Sequence, residues 1–311
     1  MKRIAEIDFL KGILILLVIT FHLVYIEHLY PYAKQVVYTF HMPAFLLLSG
    51  YFRGKQKEPK RFLLSITWLA VPYAIMESGY IIMASILPIS EHIDNLSVAV
   101  FLEKLLLNPI GPYWYLHTMI LCESICYTTG YLVRGHGLPQ MLLAVSAIYL
   151  CSKALDIVSF TMAAYFLFGF FLQRHNMQLT SFIKSSWLSV LLFAILITKQ
   201  ENLNPSTVCG ILIVYTSMGG ILLLSRYATS KGRQWVQYFG RNSLSLFLFS
   251  PMFTIVCKQF VPFLSFDPTG MAFLILSLTV CVSGSLLIAW AMDKLNFSRL
   301  MFGKKIYSGR I

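Results

Sequence analysis

Long apolar runs broken by short polar clusters set the pattern of this chain. Ten runs stand out, at roughly 7–28, 34–52, 62–88, 111–133, 138–153, 157–173, 182–198, 205–225, 242–260 and 268–293. A helix needs about 20 mostly apolar residues to cross a bilayer, so each run is a candidate span. The pattern predicts an all-α integral membrane protein with a single bundle of about ten transmembrane helices. The connecting segments are too short for a second folded body, and no repeat or linker divides the chain, so residues 1–311 are expected to form one domain. Within the long loop 89–110, an amphipathic stretch near Val98–Leu107 is expected to lie along an interface or cover a site.

Composition sharpens this picture. Hydrophobic residues make up 57% of the chain and charged ones 12%, against about 25% charged in ordinary soluble domains. The net charge of +12 does not point to nucleic acid, because its distribution follows the apolar runs. With the first residues in the cytoplasm, twenty Lys and Arg fall on the inner side. Only Lys34, Lys104, Lys153, Lys199 and Lys258 fall on the outer side. This is the positive-inside asymmetry, and with an even number of spans it places both termini in the cytoplasm. The first run is long and internally charged, without a small-residue cleavage site, and is read as a retained span. The six cysteines sit inside apolar runs, so disulfides and metal ligation are not expected and none is assigned. The inner segments 53–61 and 226–241 are read as basic loops suited to anionic lipid headgroups or a polyanionic ligand.

The first run also carries Asp8, Lys11 and His22 among Ile, Leu, Val and Phe. A charge at the bilayer centre costs about 2.5–3.5 kcal/mol on insertion scales, so such residues face a bundle interior and mark sites. At about 100° per residue, Lys11 and His22 return to within roughly 20° of one face, about 16 Å apart along the axis. His22, His41 and His117 each fall roughly 10 Å inside the outer end of their runs, which would make an imidazole layer able to accept and return a proton. Each histidine can also be read as a helix-to-helix hydrogen bond, and Tyr113, Trp114 and Tyr115 beside His117 as an interfacial aromatic belt. Glu77 and Glu123 are open between bundle partners and catalysts. Pro43 and Gly50 are expected to loosen the second run near His41, and Ser49 to pack helices. The Lys11–His22 separation is comparable to an extended pantetheine arm. Lys11 on the inner side, with Arg53, Lys55, Lys57, Lys60 and Arg61, thus offers cations for a coenzyme's phosphates.

RIAEIDFLKGILILLVITFH followed by FHMPAFLLLSGYF resembles the opening of the acyltransferase 3 family, whose basic residue, ten intervening residues and histidine are here Lys11 and His22. PYWYL at 112–116 and GRNSLSLFLFS at 240–250 resemble two later motifs of that family. Two positions depart from it. Trp68 stands where the family often has arginine, and Ser250 where the late motif often ends in histidine.

The resemblance implies a ten-span O-acyltransferase of the fucose 4-O-acetylase and polysaccharide O-acetyltransferase kind, in the inner (plasma) membrane of a bacterium. Its donor would be cytoplasmic acetyl-CoA or another acyl-CoA. Its acceptor would be a hydroxyl of a cell-surface saccharide or a lipid-linked glycolipid precursor. On that reading His22 is the general base, or a transient acyl carrier in a two-step route, His41 assists it or binds the acceptor, and Asp8 orients Lys11 or tunes its charge. Lys11, Arg53, Lys60 and Arg61 hold the donor. Two other classes fit the buried charges: a transporter or flippase for a lipid-linked saccharide, and a scaffold whose charges only pin helices.

Overall fold

The computed structural model describes residues 4–55, 58–87, 91–133 and 137–307, and among these there is no strand. The helices run α1 Ala5–Phe21, α2 Val24–Leu29, α3 Pro31–Arg53, α4 Pro59–Ile86, α5 Val98–Leu106, α6 Trp114–Leu132, α7 Leu138–Lys153 and α8 Phe160–Arg174. They continue as α9 Leu179–Phe182, α10 Trp187–Leu196, α11 Val208–Tyr227, α12 Ser230–Arg241, α13 Ser243–Cys257, α14 Val261–Leu264, α15 Met271–Lys294 and α16 Phe297–Phe302. They form two compact units, Met1–Phe45 with Ile183–Ile311 and Leu46–Phe182.

Among the described residues, four helical stretches are long and apolar enough to cross a membrane: Pro59–Ile86, Val208–Tyr227, Ser243–Leu264 and Met271–Lys294. The other runs yield shorter or more polar helices. The first run is not one helix but two. The chain leaves the helix after Phe21, and Leu23 is extended at φ −81°, ψ 101°. Side chains take over at the end of α1: His22 Nδ1 lies 2.7 Å from the Val18 carbonyl, and the Tyr38 hydroxyl donates to the Phe21 carbonyl at 3.1 Å. The last carbonyls of a helix need such partners when the chain turns away.

In the first unit, α1 lies at the centre, against α11, α12, α13 and α15. Residues 226–241 are not a basic loop. Most of the segment is α12, capped by the Thr229 hydroxyl, which accepts from Gly232 N–H at 3.2 Å. A scan for hydropathy misses it because the segment is polar on one face and apolar on the other. Its crossing of α1 is a backbone contact. A Cβ at Gly240 would run into the Asp8 carbonyl oxygen, and one at Gly12 into the Val236 carbonyl oxygen.

In the second unit, α6 packs on α4, α7 and α8. The amphipathic stretch is α5, whose Ser97 cap accepts from Val100 N–H at 3.2 Å. Helix α3 stays continuous through Pro43 and Gly50, so neither residue breaks it. Gly50 instead admits α8, since a Cβ there would strike the Phe166 carbonyl, and Gly169 on α8 answers it against the Leu47 carbonyl. Small residues allow this approach in membrane bundles. All six cysteines are free thiols.

Candidate active site

Helix α1 carries Asp8 and Lys11 on its first turns, both half-buried, and ends at His22. Because α1 is unbroken over Ala5–Phe21, the spacing of Lys11 and His22 holds at about 16 Å of helical rise. Gly12, beside Lys11, is where α12 crosses, so the position of Lys11 is fixed by backbone packing and not by adjustable side chains.

His22 and His41 are held in the same way. His22 Nδ1 is 2.7 Å from the carbonyl of Val18, and His41 Nδ1 is 2.7 Å from the carbonyl of Val37, each four residues earlier on its own helix. A carbonyl only accepts, so in both rings Nδ1 carries the hydrogen and Nε2 keeps its lone pair. His41 is 2% exposed. The two imidazoles share a neighbour, Tyr38, whose ring centroid lies 6.1 Å from that of His22 and 5.0 Å from that of His41. The Tyr38 ring is thus adjacent to both imidazoles.

Tyr38 also lines a cleft of about 420 Å³, together with Glu27, His28, Lys34, Gln35 and Thr39 and with Leu203 and Pro205. Lys34 pairs with Glu27 on its rim, and the Lys34 ammonium stands 5.2 Å from the centre of the Tyr38 ring. Pro43 offers no N–H to the Thr39 carbonyl, which leaves a backbone acceptor at the level of Thr39, a residue of the cleft wall. Sequence reasoning missed Tyr38 and the Glu27–Lys34 pair. The signal was present, because Lys34, Tyr38 and His41 are spaced i, i+4 and i+7 on one face of α3.

The second unit holds the remaining expected residues. Arg53 is not a free cation there: it pairs with Glu123 and donates to Ser65 at 3.0 Å, while the Ser65 hydroxyl donates to Glu123 at 3.1 Å. Lys60 is exposed, as is Arg61, which lies 3.9 Å from Glu58. Lys57 lies outside the described residues. His117 differs from the other histidines, since its Nε2 meets the Leu106 carbonyl at 3.0 Å. Around it, Tyr73 donates to the Leu105 carbonyl at 2.7 Å and buried Glu77 accepts from Ile110 N–H at 2.8 Å. Glu91 accepts from Gly111 N–H at 2.5 Å. These bonds fix one wall of a second cleft, about 680 Å³, lined among others by Lys104, Asn108, Trp114, His117, Lys153 and Asp156. Tyr113 and Tyr115 are buried, not arrayed as a surface belt, and Tyr115 shares a 2.6 Å hydrogen bond with Ser49. Trp68 is half-buried on α4, and Ser250 is buried on α13. Among the described residues no group of His, Cys, Asp or Glu is arranged to hold a metal ion.

A base held by its own helix beside an open polar cleft is an arrangement suited to group transfer. The comparisons with known proteins agree in kind. No curated protein and no solved structure matches the chain. The acyltransferase domain of the acyltransferase 3 family matches residues 4–290, and the chain belongs to that family of membrane acyltransferases.

Proposed function

We propose that this protein is a membrane O-acyltransferase that moves an acyl group, acetyl in the simplest case, from cytoplasmic acyl-CoA to a hydroxyl of a cell-surface saccharide or its lipid-linked precursor. The observation that carries this reading is the state of His22: Nδ1 is committed to the Val18 carbonyl, so Nε2 is the ring atom with a lone pair to offer. In the reaction, the acceptor oxygen adds to the thioester carbon while His22 Nε2 takes the hydroxyl proton. The tetrahedral intermediate collapses, the C–S bond breaks, and the coenzyme A thiolate receives that proton, leaving the ester and free coenzyme A. His41 supports the acceptor side. Lys11, ordered by Asp8, meets the donor's negative charge in the first unit. In the second, Lys60 and Arg61 are the exposed cations proposed for phosphate, and Arg53 joins them only by leaving Glu123.

The same reading takes the whole chain as one transferase, spanning the inner membrane of a bacterium about ten times with both termini in the cytoplasm. Transfer of label from acetyl-CoA to the extractable glycan and glycolipid fraction, in membranes carrying either the wild type or His22→Ala, tests it. Label with wild type alone supports the assignment and names the acceptor. Equal labelling by both removes His22 from the chemistry. Movement of a saccharide without covalent change would make the protein a transporter.

A further inference from the structure

We infer that Tyr38 is a gate, the side chain that separates the outer cleft from the two imidazoles and keeps water from His22 until an acceptor displaces it; the inference rests on the acyl-transfer reading above. Neither His22 nor His41 lines the cleft, yet both have the Tyr38 ring as a neighbour, at 6.1 and 5.0 Å between centroids, and that ring is part of the cleft wall. Tyr38 is therefore the residue that the cleft and both imidazoles share, and a hydroxyl arriving from the cleft meets Tyr38 first.

The ring is held by two contacts that a ligand can replace. Its hydroxyl donates to the Phe21 carbonyl at 3.1 Å, long for a hydroxyl-to-carbonyl bond. Its face lies 5.2 Å from the Lys34 ammonium, which is itself paired with Glu27 on the rim. A polyhydroxylated acceptor that bonds Glu27 and Lys34 competes for the cation over the ring, and an acceptor hydroxyl in place of the phenol reaches toward His22 Nε2. The Phe21 carbonyl belongs to the helix break beside His22, so opening the gate also releases the turn on which the base sits.

A transferase needs such a device because water competes with its acceptor. With the ring removed, the oxygen of water adds to the acyl carbon and one of its protons passes to His22 Nε2. The C–S bond then breaks, and the thiolate recovers that proton. The products are the free carboxylic acid and coenzyme A.

The test measures acetate release and glycan labelling from acetyl-CoA in the same membranes. Wild type is expected to transfer with little hydrolysis. Tyr38→Ala is expected to raise acetate release roughly tenfold while labelling falls, and His22→Ala added to it should abolish that gain. Tyr38→Phe, which keeps the ring, should hydrolyse as little as wild type. Should Tyr38→Ala fail to accumulate, Tyr38→Leu carries the same expectation at a smaller rise. A mere loss of structure lowers both products and cannot create hydrolysis. Labelling by wild type with unchanged acetate release in the Tyr38 variants overturns the gate and leaves the transferase reading intact. Absence of transfer by wild type overturns that reading and the gate with it.

Discussion

His22 and His117 are the same residue type, both in long apolar runs of the sequence, and they anchor themselves to backbone in different ways. His22 turns Nδ1 back to its own helix and keeps Nε2 available. His117 gives Nε2 to the carbonyl of Leu106, in company with Tyr73, Glu77 and Glu91, each bonded to backbone between Leu105 and Gly111. In the proposed reading the first ring exchanges a proton and the second holds a loop. Each ring keeps a lone pair on its other nitrogen, so the difference lies in what is anchored: His22 bonds to its own helix and His117 to a loop eleven residues earlier.

This contrast breaks most visibly at His22. Alanine there is expected to lower transfer by about 10²–10⁴-fold with the protein still in the membrane, read as label incorporated per unit of purified protein. The second unit should respond in stability instead. Glu123→Ala leaves the Arg53 guanidinium without its buried partner, at a cost of about 3–5 kcal/mol in unfolding free energy. Thermal unfolding in detergent checks this, and the double change with Arg53→Leu should recover part of the loss. Back in the first unit, Gly240→Ala forces α12 off the Asp8 carbonyl, costing about 1–3 kcal/mol. It should raise the KM for acyl-CoA more than it lowers kcat, because it disturbs the neighbourhood of Lys11. His117→Ala removes one hydrogen bond to a loop and should cost about 1 kcal/mol of stability, with transfer changed only a few-fold. If it abolishes transfer as His22→Ala does, the two histidines are not divided as described.

The smallest effect belongs to Asp267, in the turn before α15. The N–H of Ala272, followed by the hydroxyl and N–H of Thr269, holds its carboxyl below the ordinary aspartate range. A depressed folded-state value adds stability above the unfolded value of about 3.9 and loses it as pH falls through the folded value. Asp267→Asn should therefore lower Tm slightly at neutral pH, and its gap from wild type should close in acid.

Much of the fold was readable along the chain. Leu138–Lys153 is helical over the span expected, and the last long run is α15. What escaped depends on contacts distant in sequence. LLVITFHLVYI contains no glycine or proline to announce a break, and the turn at His22 is held by Tyr38, sixteen residues further on. The helix at Ser230–Arg241 hid behind its charges, although Val236, Phe239 and Gly240 follow i, i+3, i+4 spacing. Of the site, Lys11, His22 and His41 were marked by the oddity of ionisable groups among aliphatic ones. Tyr38 was not, since a tyrosine in such a run attracts no notice until its neighbours are known.

Helix α1 is held in different ways at its two ends. At Asp8–Gly12 the glycines set main chain against main chain, whereas at His22 the helix ends on bonds to its own last turn and on the Tyr38 hydroxyl. One end is thus set by main-chain packing and the other by side-chain hydrogen bonds that a ligand can replace. The two ends of one helix can then serve two partners that arrive at different moments, each adjusting its own end without disturbing the other.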